Sequence, residues 1–229
     1  MALALHDPSG DAVSEVHVVQ QTGRVEGGIA QGRRSGARIL GAFRFGARPR
    51  VAYPLLVGAA VGYSVVALLL ALAAANPMPE PYLRIPDADY FAAATFFYGP
   101  VIVAAWLLAS GVMYVAARAV RGEPRFDELL SATAFASGLG TLGTLIADLV
   151  TSPLRAVGVI NEQAWEASIA QMGGWFVFTW ATLVIYIVLF LLAYPLAMRL
   201  STRLAWPGAV VIGVAGFLVF QGFEYVFIR

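Results

Sequence analysis

Residues 126–150 form one apolar run, from Phe126 to Val150, with few charges and many Ala, Gly, Ser and Thr residues. A helix of about 20 apolar residues crosses the ~30 Å hydrocarbon core of a bilayer, so this run is long enough to span. Its small residues are of the type that lets helix backbones approach closely in lipid. Two apolar stretches precede it (51–75, 97–117) and two follow it (174–197, 207–228), with the middle span itself at 129–151. Hydrophobic residues make up 59% of the chain and the mean hydropathy is +0.74, more apolar surface than a water-soluble core of this size hides. The chain therefore reads as an all-α polytopic membrane protein: a five-helix membrane domain over 51–229, with the middle span at the centre of the bundle.

Residues 1–50 are polar and Gly-rich, with neither the basic n-region nor the apolar h-region of a signal peptide. Over 33–45, Arg34 and Arg38 fall roughly opposite Ile39, Leu40 and Phe43. Two readings stay open for this segment: an interfacial amphipathic helix, or a flexible basic tail weakened as a helix by Gly36 and Gly41. Residues 76–90 carry four prolines and three acids and read as an extended loop. Ser152-Pro153 is expected to end the third helix, with a polar connection following and a surface helix over 162–172. Trp175 and Trp180 near one end of the fourth span, and Tyr194 near the other, suit interfacial belts.

Orientation follows from arginine. All fifteen basic residues are Arg. With the N-terminus inside, the inner segments 1–50, 118–125 and 199–203 hold seven, three and two, and the outer side keeps Arg84, Arg155 and Arg229. Positive residues collect on the cytoplasmic side, so the expected topology is N-terminus inside, C-terminus outside, in the cell (plasma) membrane.

Several chemistries lack their residues. The chain has no Cys and no Lys, and its two His, His6 and His17, lie upstream of every span. Thiolate metal sites, Schiff-base lysines, axial haem histidines and His-based intramembrane proteases are therefore not expected from the spans. Asp148 alone cannot make an aspartyl dyad. No catalytic residue, metal ligand or cofactor site is assigned, and no nucleic-acid partner is expected. Gly138, Gly140 and Gly143 match the letters of a dinucleotide fingerprint, but that motif needs a strand before it and a free helix N-terminus after it. In mid-span these residues read instead as packing surface, together with Ala136 and Thr144.

The turn from Arg121-Gly122 to Phe126, entering a helix with small residues at Ala134 and Ala136, resembles the Yip-domain (Ypt-interacting-protein) family in its prokaryotic form, where a Gly-x-x-x-Phe turn precedes a middle helix. Tyr98-Gly99-Pro100 is similar to a Tyr-Gly-Pro motif of eukaryotic members, and the ending Val219-Phe220-Gln221-Gly222-Phe223 is similar to the last span of prokaryotic ones. The chain departs from the family at Phe96-Phe97, where eukaryotes have an acidic-Leu pair, and in the Gly138–Gly143 run, which replaces a middle-helix proline. The resemblance covers roughly 50–229. It implies five spans, an inside N-terminus and a non-enzymatic membrane interaction protein.

Two groups of polar residues remain. Asp148 and Glu224 sit at similar, shallow depth near the outer ends of their spans and form a candidate intramembrane polar pair, suited to a small-solute or ion pathway. The alternative is that each reaches the interface or pairs with Arg155 or Arg229. At the opposite end, Arg118, Arg121, Arg125, Arg199 and Arg203 form a face for a protein partner or anionic lipid headgroups. The expected function is a scaffold or interaction protein. A transport pathway, possibly homo-oligomeric, and an accessory subunit of a larger membrane complex are the alternatives.

Overall fold

The computed structural model describes residues 38–77 and 83–227, apart from the side chain of Glu162. By contacts the chain divides into two units, Met1–Phe43 and Arg44–Arg229. Of the first unit, residues 38–43 are described and are helical; residues 33–37 of the amphipathic segment lie outside the described residues. The second unit holds α1 (Pro49–Leu72), α2 (Asp87–Ala119), α3 (Phe126–Ala156), α4 (Glu162–Ala170), α5 (Gly174–Ser201) and α6 (Trp206–Phe227). No strand occurs among the described residues. All of these helices except α4 are long and apolar enough to cross a membrane, which makes five spans.

Helices are what such sequences must form in lipid, because a helix satisfies its own backbone N–H and C=O groups where no water can. The five spans close a ring: α3 packs on α1 and α5, α1 on α2, α2 on α6, and α6 on α5, with a smaller contact of α3 on α2. The most apolar window of α3 is 61% buried and that of α5 is 17% buried, so α3 is the enclosed helix and α5 turns most of its surface outward.

The small residues of α3 set this arrangement. A side chain at Gly138 would come within 3.0 Å of the backbone N of Leu56 on α1. One at Gly140 would overlap the Phe190 ring on α5, and one at Gly143 would sit 3.4 Å from Tyr186 Cα. Ala136 is fully buried, and Thr144 hydrogen-bonds Tyr63 on α1. The glycines that match a nucleotide motif are thus continuous helix, not a strand-to-helix turn. A second close crossing was not foreseen: a Cβ at Gly213 of α6 would lie 2.5 Å from Pro195 N on α5.

Hydroxyl groups fix the enclosed part of α3. The Ser110 and Thr133 hydroxyls lie 2.7 Å apart, and Trp106 Nε1 donates to Thr133 Oγ1 at 3.1 Å. Ser137 bonds the Tyr194 hydroxyl at 2.8 Å. Tyr194 is therefore a fully buried core residue and not part of an interfacial belt.

Three boundaries differ from expectation. The second span begins at Asp87, not near 97, because Asp87 and Asp89 are first-turn acids behind an N-cap proline, Pro86; negative charge there suits the helix dipole. The first span begins at Pro49, with Pro54 in its interior. The third runs through Pro153 to Ala156, with Thr151 Oγ1 donating to Ala147 O at 3.1 Å. It stops where Gly158 takes φ 75°, a conformation that suits glycine. Asn161 caps α4 by accepting from the Ala164 N–H at 3.2 Å.

Candidate polar site within the membrane domain

Polar residues recur at helical spacing along three of the spans. Thr141, Thr144 and Asp148 share a face of α3, Thr179, Thr182 and Tyr186 one of α5, and Gln221 and Glu224 one of α6, since residues three, four and seven apart stack on one side of a helix. Together with Tyr63 of α1 they line a cavity of about 300 Å³. Thr179 is exposed and marks its open side.

The hydrogen bonding inside is uneven. The Tyr186 hydroxyl donates to Glu224 Oε2 at 2.7 Å, and Glu224 is buried, 8% exposed. Thr144 Oγ1 lies 3.3 Å from the Thr141 carbonyl and also hydrogen-bonds the Tyr63 hydroxyl. Thr141 Oγ1 and Gln221 Oε1 are buried without a partner. Buried polar atoms are nearly always hydrogen-bonded, so these two are exceptions, and both line the same cavity.

A second cavity, also of about 300 Å³, adjoins the first: Tyr63, Asp148 and Thr179 line both. It adds Asn76, Arg155 and Trp165, with the Arg155 guanidinium 5.1 Å from the Trp165 ring centroid. The structure therefore brings Asp148 and Glu224 to one cavity, and places Asp148 between that cavity and one lined by Arg155. Arg229 lies outside the described residues.

The site is rich in oxygen acceptors. Two carboxylates, an amide oxygen and several hydroxyls line the inner cavity, and among the described residues no Arg does. Among the described residues, no three His, Cys, Asp or Glu side chains cluster as metal ligands.

The arginines gather elsewhere. Arg203 N–H donates to Gly122 O at 3.1 Å, which ties the α5–α6 turn to the α2–α3 turn. A Cβ on Gly122 would lie 2.8 Å from Leu204 Cγ and 3.0 Å from Ala117 O, so only glycine fits this joint. Arg203 pairs with Glu123 at 3.1 Å and Arg125 with Glu128. Arg118 lies over Tyr114 and Arg199 over Trp206, while Arg121 is exposed. A cavity of about 370 Å³ at this end is lined by Arg44, Arg48, Asp127 and Glu128.

The motif residues are structural in their contacts. Tyr98 is buried, its hydroxyl 3.5 Å from that of Tyr90. A Cβ on Gly99 would meet Ala60 O at 3.3 Å, and Pro100 lies inside α2, exposed. Phe126 stacks edge-on against Tyr114 at 5.2 Å. Sequence reasoning missed Tyr63, Thr141 and Tyr186, although the spacing of Thr179, Thr182 and Tyr186 was available as a signal.

In comparison with known proteins, the family profile described as the Yip1 domain matches residues 38–223, which covers α1 to α5 and most of α6. No curated protein and no solved structure matches the chain.

Proposed function

This chain belongs to the Yip1 domain family, and on that premise we propose that it is a non-enzymatic scaffold of the cell membrane. Its N-terminus lies inside, and its Arg-rich end docks a membrane or cytoplasmic protein. The multi-pass membrane character is the firm part: five spans contact lipid. The observation that carries the docking role is the joint between Arg203 and Gly122. It holds two turns together, so that the exposed Arg118, Arg121, Arg125 and Arg203 and the half-buried Arg199 belong to one surface. Charges arranged this way steer and orient a partner more than they stabilise the fold.

The test is purification from native membranes in mild detergent, comparing the parent with an Arg121→Gln, Arg125→Gln, Arg203→Gln triple variant. A stoichiometric protein lost from the variant, at equal yield of the bait, is the expected result. An identical set of proteins from both, or a clean homo-oligomer from both, overturns the docking role. Salt-sensitive binding of the bare protein to anionic but not zwitterionic liposomes would assign the surface to lipid instead. A co-purifying enzyme complex would make the chain an accessory subunit.

The adjoining cavities favour a second reading, a small-solute or ion pathway through Asp148 and Glu224. Flux into proteoliposomes that falls in the Asp148→Asn, Glu224→Gln variant is its expected outcome; no flux with the parent protein ends it.

A further inference from the structure

We infer that the inner cavity between α1, α3, α5 and α6 is a binding site for a small monovalent cation, an alkali ion or a primary ammonium group. It deepens the pathway reading by naming what is bound, but it rests on binding at equilibrium and stands whether or not the ion crosses.

The first ground is an imbalance of donors and acceptors. The Tyr186 proton is committed to Glu224, and the Tyr63 and Thr144 hydroxyls share one hydrogen bond that uses a proton of one of them. With its proton given to Glu224, the Tyr186 oxygen offers the cavity lone pairs. Asp148 and Glu224 add carboxylate oxygens, and Gln221 adds a buried carbonyl oxygen that accepts nothing.

The second ground is the pair of orphaned atoms. Thr141 is 1% exposed and its Oγ1 has no partner. Leaving such a group unpaired costs about 1–3 kcal/mol in general. Two of them lining one cavity point to a ligand that meets both.

The third ground is charge. The hydrogen bond to Glu224 comes from a neutral tyrosine, and among the described residues no Arg lines the inner cavity. A cation held among these oxygens compensates a carboxylate where charge is expensive. An oxygen-only ligand set suits hard cations. Asp148 also faces the cavity that Arg155 lines, which leaves Glu224 as the carboxylate without a cationic neighbour among the described residues and fits one positive charge better than a divalent ion. The volume, about 300 Å³, holds several waters at about 30 Å³ each, so part of a hydration shell can remain.

The experiment is equilibrium binding of radiolabelled sodium and of labelled methylammonium to the full chain in lipid nanodiscs. Saturable binding of either, not displaced by bulky N-methylglucamine, is expected, and the cation that binds distinguishes the two sources. Glu224→Gln keeps an acceptor for Tyr186 and is expected to weaken binding by about tenfold or more, the scale of losing one charge-assisted contact. Thr141→Val, nearly isosteric, is expected to weaken it by about threefold, the smaller share of a neutral ligand group. If Glu224→Gln does not fold, Thr141→Val decides. Absence of saturable binding of both probes overturns the inference, and so does unchanged affinity in the folded variants. Displacement by calcium at far lower concentration than by sodium overturns the monovalent assignment. Binding without flux leaves this site standing and ends the pathway alone.

Discussion

From Leu129 to Gly140, α3 is buried at nearly every position, and the hydroxyls of Thr133 and Ser137 bond side chains on α2 and α5. From Thr141 to Val150 the same helix is half-buried or exposed except at Thr141 and Leu145, and it lines two cavities. Both halves draw on Gly, Thr, Ala and Leu. The difference is what the small residues meet. In the first half, neighbouring helices press against the backbone and close every polar gap. In the second half Tyr63 reaches Thr144, but no neighbour reaches the Thr141 hydroxyl, and a cavity lies between the oxygens. Small residues in a membrane helix therefore permit close approach without dictating it.

Gly140→Ala and Gly143→Ala offer the sharpest way to break this contrast. A Cβ at Gly140 overlaps the Phe190 ring, which cannot swing away because it is fully buried among Tyr186, Tyr194, Phe217 and Phe220. Overpacking of this kind costs about 1–3 kcal/mol, and Gly140→Ala is expected at the upper end. At Gly143 the nearest atom is the end of a leucine side chain, Leu189 Cδ1 at 3.1 Å. That chain can shift slightly, so Gly143→Ala is expected to change stability by less than about 1 kcal/mol. Unfolding midpoints in one detergent measure both. Equal losses would mean that both halves are equally tight.

A pair of hydroxyl deletions sharpens the comparison at smaller scale. Thr133→Val removes one of two acceptors of Trp106 Nε1, which keeps the Leu130 carbonyl at 3.2 Å, and one partner of Ser110, which keeps the Trp106 carbonyl at 2.7 Å. It is expected to destabilise by about 1 kcal/mol, the net worth of hydrogen bonding lost without orphaning a buried donor. Thr141→Val removes a hydroxyl that bonds nothing. It is expected to be neutral or slightly stabilising, within about 0.5 kcal/mol, since replacing an unsatisfied polar group with a methyl ends a desolvation penalty. The same unfolding assay decides it. A loss at Thr141 equal to that at Thr133 would show the second half to be as well bonded as the first.

The sequence made some of this readable and hid the rest for physical reasons. The spans were legible because length and apolarity alone decide whether a helix crosses lipid. The start of α2 was not, because Asp87 and Asp89 read as loop acids until Pro86 is seen capping a helix. Asp148 and Glu224 stood out because a carboxylate in an apolar run is rare. Thr141 did not, because a hydroxyl in a helix ordinarily bonds its own preceding turn, as Thr95, Thr151 and Ser201 do here. No local pattern distinguishes those from Thr141; only the neighbouring helices do. Tyr194 was misplaced for the same reason: an aromatic near a span end looks interfacial until Ser137 is found bonded to its hydroxyl.

The smallest effect concerns the entrance of α3. Arg125 pairs with Glu128 three residues on, and their side chains are 76% and 45% exposed. Exposed pairs contribute about 0–1 kcal/mol and are screened by salt, so Arg125→Gln is expected to lower stability by only about 0.5 kcal/mol. The loss should vanish when the unfolding midpoint is measured in high salt. A salt-independent loss well above that would place the rigidity of the first half in its charged entrance and not in the packing of Ala136, Gly138 and Gly140. A small loss leaves Arg125 available for a surface role, because a side chain that contributes little to folding can be given over to binding without cost to the bundle.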